Sequence, residues 1–466
     1  MTYFIRSICS PSVTIIIRVV LLSVIIICIQ TSSNNAHAGD NTFKAGDFTA
    51  AMDVELGAGY FDTRNTNFGV GRFDIITGEN TGDAQWFEAY LKPVITAEYL
   101  IGSAGYLYGG VSLIAGLTRG DGDAGGFTNG TEDDIDNEYL YIGWNSGGLF
   151  SESLGEEAIS LSFGRQDYHI GNGFLIQDGN FDQLSKGTYW LAPRTAFDNT
   201  ALLKVKTQDV AADFFYLESD SDQDNTDLAG FDLRYNTSES GSIGFTYFHI
   251  LDADIHFYGP RDGMDVYSIR ANDINFQSLN NFLFSGEYVS QSGSGDDGKI
   301  DADAWYLQGS YTFSDASWSP TISYRYSEFS GDPDDTDNVS ENFDPLFFGE
   351  STGWGTWYQG EIAGEYLLFN SNQTTHMVQL NATPNESLSV GAIYYKFDLQ
   401  EKNYYGTAVS DKSFADEINI YADWTINDAL YLSALYGVAF PGRGAADAFG
   451  GNEPYHLFEV AFYAYY

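Results

Sequence analysis

The stretch FTAAMDVELGAGY (48–60) decides the fold, because its apolar and polar residues alternate along its length. Every second position is apolar, which gives the series Phe48, Ala50, Met52, Val54, Leu56, Ala58 and Tyr60. Thr49, Asp53 and Glu55 stand between them. A period of two is typical of a β-strand with one apolar and one polar face. The same alternation recurs at 319–328, 414–425 and 429–440, so the sequence predicts an all-β fold.

The length and chemistry of these segments favour a transmembrane barrel over a soluble β-sandwich. They are about 9–12 residues long, the length that a tilted strand needs to cross a bilayer. Their polar faces include Asp53, Glu55 and Lys204, which a sandwich core would not accept unpaired but a water-filled lumen would. The chain also contains 33 Tyr, 34 Phe and 50 Gly, a mixture typical of barrels with aromatic girdles. We therefore expect an antiparallel transmembrane β-barrel.

The first residues predict a secretory signal peptide. Arg6 and Arg18 precede the apolar run VVLLSVIIICI (19–29), and Ala36-His37-Ala38 follows as a small-x-small cleavage site. A charged start, a short apolar core and such a site define a signal peptide, whereas a retained anchor needs about 18 apolar residues. We expect residues 1–38 to be removed by cleavage near Ala38.

The end of the chain predicts the location of the barrel. The segment YHLFEVAFYAYY (455–466) resembles the aromatic-terminated final strand by which bacterial outer-membrane barrels are recognised for insertion. A soluble protein that ended in this way would expose an adhesive edge. We expect residues 39–466 to form one barrel domain in the outer membrane of a Gram-negative bacterium.

The connections between predicted strands fall into two classes, as expected of such a barrel. The short connections, assigned to the periplasm, are NTSESGS (236–242), FSDASWS (313–319), TPNES (383–387) and TINDA (425–429). The long ones, assigned to the outside, include 61–82, 120–137, 166–199, 330–345 and 441–454. An even number of strands is required when both chain ends are periplasmic, and we expect about 18, with 16 and 20 as alternatives.

This strand count makes 329–373 one long extracellular connection. The segment WGTWYQGEIAGEYLLF (354–369) lies within it, although it alternates like a strand. We expect this segment to lie above or inside the barrel. An 18-stranded barrel is wider than side chains can fill, so a channel is expected.

The stretch FGRQDYHIGNGFLIQDG (163–179) follows a predicted strand and contains the first candidate site residues. Strict alternation would place Arg165 on the lipid face, which is unfavourable by about 2–4 kcal/mol at mid-bilayer. Either the strand ends at Gly164, or a bulge there directs Arg165 into the lumen. In both cases Arg165 and Gln166 begin a long segment that enters the pore or its mouth.

Two stretches resemble the alginate-export family of outer-membrane barrels. The first is FGRQ, a glycine-containing loop and then PRTAFDNTALLKVK (193–206), in which Arg165, Gln166, Arg194, Phe197 and Asp198 match the family pattern. An alanine is inserted before Phe197, and Asn199 replaces the glycine of the family. The second is NFDPLFFGE (342–350). The resemblance implies an 18-stranded channel with an arginine-lined lumen that passes a uronate polysaccharide outward.

Strand parity and this resemblance together predict a substrate path through the lumen. Its residues are expected to be Arg165, Gln166, Arg194, Lys204, Lys206, Arg234 and Arg325. The same faces also bear acids, namely Asp53, Glu55, Glu88, Glu98, Asp213, Asp232, Glu287, Glu417 and Asp423. A conduit for a polyanion should focus positive potential. Two alternatives therefore remain open at this point, a polyanion path and a mixed-charge porin wall with ion pairs.

Other function classes are less compatible with the sequence. A net charge of −44 argues against binding nucleic acid, whose phosphates it would not neutralise. Nucleophile-elbow and zincin patterns are absent, so no enzyme is expected. We also expect no cofactor and no metal site. The partners expected are the lipid bilayer, lipopolysaccharide, an anionic polysaccharide or small solutes, and a periplasmic export partner. A general diffusion porin and a plugged structural or adhesive barrel are the alternative functions.

Overall fold

The computed structural model describes most of the chain beyond the predicted signal peptide. The described residues are 41–73, 79–180, 182, 184–221, 225–237, 241–254, 259–276, 279, 281–295, 298–334, 336–349 and 353–466. The predicted signal peptide, 1–38, lies outside them. Residues Thr42–Tyr465 belong to one compact unit.

Within the described residues, eighteen antiparallel strands form a closed barrel, and two short strands, Thr42–Ala45 and Val339–Ser340, pair with its members. In chain order they are β1 (Phe48–Arg64), β2 (Gln85–Leu100), β3 (Tyr106–Gly120), β4 (Asp133–Asn145), β5 (Ile159–Gln166), β6 (Phe197–Lys206), β7 (Val210–Glu218), β8 (Thr226–Thr237), β9 (Gly241–Ala253), β10 (Met264–Ile274), β11 (Phe282–Gly295), β12 (Gly298–Thr312), β13 (Thr321–Phe329), β14 (Gln373–Asn385), β15 (Leu388–Leu399), β16 (Ser413–Asn427), β17 (Leu430–Pro441) and β18 (Tyr455–Tyr465). Each strand pairs with its neighbours in sequence, and β1 pairs with β18, from Glu55 opposite Tyr465 to Arg64 opposite His456. The predicted fold class and count of 18 are confirmed.

The two faces of the barrel wall differ as the alternation predicts. Leu140, Ile142 and Leu307 point outward and are 60–62% exposed, which is unusual for large apolar side chains unless lipid covers them. The neighbouring inward residues include Glu88 and Lys92, which are buried inside the barrel. Among the described residues, no helix combines the length and the apolar character that crossing a membrane would require.

Most connections are short at one end of the barrel and long at the other, and the exceptions are 146–158 at the first end and 296–297 at the second. The prediction that 329–373 forms one long connection is confirmed, because β13 and β14 are adjacent partners and residues 330–372 join them. Two long connections matter for function. We call 167–196, between β5 and β6, the first inserted segment, and 330–372, between β13 and β14, the second inserted segment.

Candidate functional site in the lumen

The first inserted segment lies against the inner wall of the barrel. Its apolar residues Tyr168, Ile170 and Phe174 belong to one buried cluster with inward residues of the wall, among them Phe215 on β7 and Phe248 on β9. Because side chains that face a lumen are usually polar, this apolar stretch of wall requires a covering partner. The inserted segment provides it.

The two inserted segments also bind each other. The Trp357 indole packs on Phe174 with ring centroids 4.5 Å apart, and its Nε1–H donates to the Asn172 carbonyl oxygen at 2.9 Å. The Gln177 N–H donates to the Phe347 carbonyl oxygen at 2.7 Å. Apolar contact and backbone hydrogen bonds therefore join the segments into one internal layer.

A helix of the second inserted segment rests on the opposite wall. Residues Gly360–Leu368 form a π-helix that is buried throughout. The N–H groups of Ile362 and Ala363 donate to the Glu417 carboxylate on β16, at 3.1 and 2.7 Å. A carboxylate is favourable at a helix N-terminus, where N–H groups have no partner within the helix. The prediction that 354–369 lies above or inside the barrel is confirmed, and it lies inside.

The bulge alternative predicted at Arg165 is the one observed. The register of β5 with β6 shifts between Gly164 and Gln166, and Gly164 adopts φ +112°. A Cβ at this glycine would collide with the Leu140 carbonyl oxygen of β4. The bulge turns Arg165 inward, where its guanidinium pairs with Asp198 at 2.8 Å and with Asp220.

Arg194 is fully buried between the first inserted segment and the wall. Its guanidinium pairs with Asp182 of the same segment at 2.5 Å and with Asp134 on β4 at 3.3 Å. It also donates to the Thr188 hydroxyl at 3.0 Å. Burial raises the pKa of the Asp182 carboxyl to about 6, although the charge of Arg194 and its hydrogen bonds act in the opposite direction.

Three further predicted site residues also have partners. Arg234 pairs with Asp213 at 2.9 Å and with Asp232 at 3.3 Å. Lys206 pairs with Glu157 at 3.5 Å near the end with short turns. The Gln166 amide donates to the Thr200 hydroxyl at 2.6 Å.

Only two of the predicted lumen cations lack a carboxylate partner within ion-pair distance among the described residues. Lys204 lies over the Tyr168 ring, 5.3 Å from its centroid. Arg325 lies over the Trp357 ring at 4.6 Å and donates to the Thr356 carbonyl oxygen at 2.8 Å. The sequence leaves a line of cations open to a substrate and a mixed-charge wall with ion pairs as alternatives, and four of the six cations are in ion pairs. For the buried Arg165 and Arg194 the reason is physical, because a cation removed from water needs an anionic partner, whereas the Lys206 pair is exposed.

A large polar cavity, the inner vestibule, lies between the inserted segments and the end with short turns. It has a volume of about 800 Å³. Its wall is mainly uncharged and capable of hydrogen bonding, with Gln308, Ser310, Thr312, Thr321, Ser323, Gln379, Asn381 and Ser389 among its residues. The charged residues on its surface include Arg325, Asp273 and Asp423. Such a surface suits solutes that are rich in hydroxyl groups.

A second cavity, the aromatic pocket, lies between the two inserted segments and has a volume of about 230 Å³. Its lining includes Tyr189, Trp190, Trp354, Tyr358 and Tyr463, together with the acids Asp178, Glu361 and Glu365. Trp354 and Thr356 line the inner vestibule as well, so the two cavities adjoin. The alternation of inward and outward side chains along a strand cannot identify these residues, because most of them lie outside the strands. In the described part of the chain, no three His, Cys, Asp or Glu side chains are grouped to hold a metal ion.

Comparison with known proteins places this lumen in context. A family model described as alginate export matches residues 126–452. No curated protein sequence shows significant similarity. Among solved structures, OccAB2 of Acinetobacter baumannii is similar at 12% identity and a TM-score of 0.58, over 90% of this chain and 98% of that one. OpdK of Pseudomonas aeruginosa with vanillate is similar at 11% identity and a TM-score of 0.55, over 90% of this chain and 98% of that one. The outer membrane protein OprD of the same organism is similar at 12% identity and a TM-score of 0.51, over 90% of this chain and 94% of that one. At these identities the likeness concerns the fold.

Proposed function

The chain belongs to the alginate-export family and is an outer-membrane β-barrel channel, and from this premise we propose that it conducts oligosaccharides passively. The observation that supports this cargo is the inner vestibule, with its uncharged hydroxyl and amide side chains. These groups both donate and accept hydrogen bonds, as do the hydroxyl groups of a sugar. A concentration gradient or a periplasmic export partner would provide the driving force.

The charge arrangement argues against a strong preference for anionic chains. Ion pairs neutralise Arg165, Arg194, Lys206 and Arg234. We propose that Arg165 and Arg194 hold the first inserted segment in place. We further propose that Lys204 and Arg325 are the cations that a uronate chain would meet, with Gln166 as a support of the wall through Thr200.

A general diffusion porin is the second candidate, and the size of the inner vestibule favours it. A cavity of about 800 Å³ with mixed charges can admit many small solutes. The two candidates differ in whether an oligosaccharide passes. We propose no catalytic role, since the family and the fold are those of transport channels.

Two further proposals concern the surroundings of the barrel. We propose that residues 1–38 direct export and are then removed, so that the protein functions as residues 39–466. We also propose that acidic residues of the long connections contact lipopolysaccharide through divalent cations, because carboxylates are favoured ligands of such ions.

The first test of this function is swelling of proteoliposomes in an isosmotic sugar solution. We expect swelling in maltohexaose, a neutral hexasaccharide, at a rate well above that of protein-free liposomes, because the inner vestibule can exchange hydrogen bonds with the sugar. Swelling with amino acids or a monosaccharide but not with the hexasaccharide would contradict the proposal and favour a small-solute porin. If none of these solutes causes swelling, the inserted segments close the channel.

The second test is the zero-current potential of the refolded protein in a planar bilayer under a KCl gradient. We expect cation selectivity, because four of the six predicted lumen cations are paired while Glu361 and Glu365 line the aromatic pocket. Raising the ionic strength should reduce this selectivity by screening. Anion selectivity would contradict the expectation and would favour a polyanion path through Lys204 and Arg325.

A further inference from the structure

We propose that Trp190 and Trp354, backed by the buried ring of Tyr421, form a stacking site for the rings of a neutral oligosaccharide, at the junction of the aromatic pocket and the inner vestibule. The inference rests on the proposed function and specifies where and how the cargo is bound. It would make this junction, rather than a row of cations, the place where the channel selects its cargo.

The three rings form a continuous series along the cavities. The ring centroids of Trp190 and Trp354 are 6.3 Å apart, and those of Trp354 and Tyr421 are 5.8 Å apart. Trp190 lines the aromatic pocket, Tyr421 lines the inner vestibule, and Trp354 lines both. Trp190 and Trp354 are only half-buried, so part of each ring faces the cavities. The electron-rich face of an aromatic ring attracts the partly positive C–H groups of a sugar ring.

The central ring is held in position from several sides. The Trp354 Nε1–H donates to the Asp423 carboxylate at 3.0 Å, and the Gln379 amide donates to the Trp354 carbonyl oxygen at 3.1 Å. Gly353 and Gly355, which flank the tryptophan, adopt φ +90° and +81°, a conformation that favours glycine. A side chain fixed in this way loses little freedom when a ligand binds.

Hydrogen-bonding groups surround the series of rings. The Tyr421 hydroxyl accepts hydrogen bonds from the Gln379 and Asn381 amides, both at 3.0 Å. These two amides also line the inner vestibule. Aromatic faces beside fixed amides and carboxylates suit a sugar, which presents apolar C–H groups on its face and hydroxyl groups at its edge.

The charges at the junction favour a neutral sugar over a uronate. Glu361 and Glu365 line the aromatic pocket, and none of its described lining residues is a lysine or an arginine. Asp423 lies beside Trp354 on the vestibule side. A carboxylate ligand would meet like charges here at close range, whereas hydroxyl groups could donate to the same oxygens.

The test is the block of single-channel current by maltohexaose in a planar bilayer. Trp354→Ala and Trp190→Ala should each raise the sugar concentration for half-block about tenfold, the effect of removing one strong aromatic contact. Trp354→Phe should keep most of the block, because it keeps a ring. The matched control is Trp318→Ala in the turn between β12 and β13, where the ring is 60% exposed and lines neither cavity; it should leave the block unchanged.

Two results would overturn the inference. One is that the maltohexaose concentration for half-block is the same in the unaltered protein, Trp354→Ala and Trp190→Ala. The other is tighter block by a uronate hexamer than by maltohexaose. Failure of the proposed function would give a different result. The unaltered protein would then conduct ions, but no hexasaccharide would block the current or pass through the channel. If Trp354→Ala does not refold, Trp190→Ala and Trp354→Phe still decide the question.

Discussion

Replacement of Arg194 by alanine should detach the first inserted segment from the wall and raise the single-channel conductance. The Arg194 guanidinium is fully buried and joins Asp182 of the segment to Asp134 on β4. Its removal leaves the buried Asp182 carboxylate without this cation, which should lower the stability of the docked state by about 3–5 kcal/mol. The same variant should unfold at a lower denaturant concentration.

A surface ion pair provides the matched control for Arg194→Ala. Arg119 pairs with Asp133 near the same end of the barrel, but the two side chains are 42% and 55% exposed. Exposed pairs contribute about 0–1 kcal/mol, so Arg119→Ala should change neither conductance nor stability appreciably. If both variants behave alike, Arg194 does not hold the segment and the role proposed for it is wrong.

The barrel itself could be predicted from the sequence because one constraint applies to every strand. A wall between lipid and water forces a period of two, and the closed topology forces an even number of strands. The stretch 48–60 therefore identifies the outward and inward residues of β1. Because the number of strands must be even, 330–372 is correctly assigned to one connection, although apolar and polar residues alternate in part of this segment as they do in a strand.

The conformation of 354–369 could not be predicted in the same way. Its alternation is typical of a strand, but in a closed barrel no strand edge remains for it to pair with. Its backbone groups must then be satisfied locally, and Gly360–Leu368 forms a helix whose first N–H groups bind Glu417. The sequence indicates where this segment lies, while its helical form depends on a residue of β16 that is distant in sequence.

In the candidate site, too, the sequence predicts some features and not others. Parity predicts that Arg234 and Arg325 point inward, and the bulge at Gly164 brings Arg165 inward as well. Parity does not identify partners, because Asp220 pairs with Arg165 across 55 residues of sequence. The availability of each cation to a substrate therefore depends on loop packing, which no local pattern predicts. The same is true of Trp354, whose place between two cavities follows from the path of the second inserted segment.

The second large effect is expected at Glu417, which anchors the helix of the second inserted segment. Glu417→Ala removes the carboxylate that accepts from the Ile362 and Ala363 N–H groups, and it leaves both groups buried without this acceptor. Loss of these bonds should cost about 2–4 kcal/mol of docking free energy. Because Glu361 and Glu365 lie on this helix and line the aromatic pocket, its release should abolish block by maltohexaose and increase the noise of the open-channel current.

The neighbouring residue Asp416 separates this effect from a general weakening of β16. Its side chain points to the outer face and accepts a hydrogen bond from the Tyr394 hydroxyl of β15. Asp416→Ala should therefore leave the block and the noise as they are. Glu417→Gln should have an intermediate effect, because its amide keeps one acceptor oxygen but presents a donor to the second N–H group. An unchanged block in Glu417→Ala would mean that apolar packing of the helix on β17 and β18, in the cluster that includes Ile362, Leu435 and Leu457, holds it without the carboxylate, and the anchor would then be apolar.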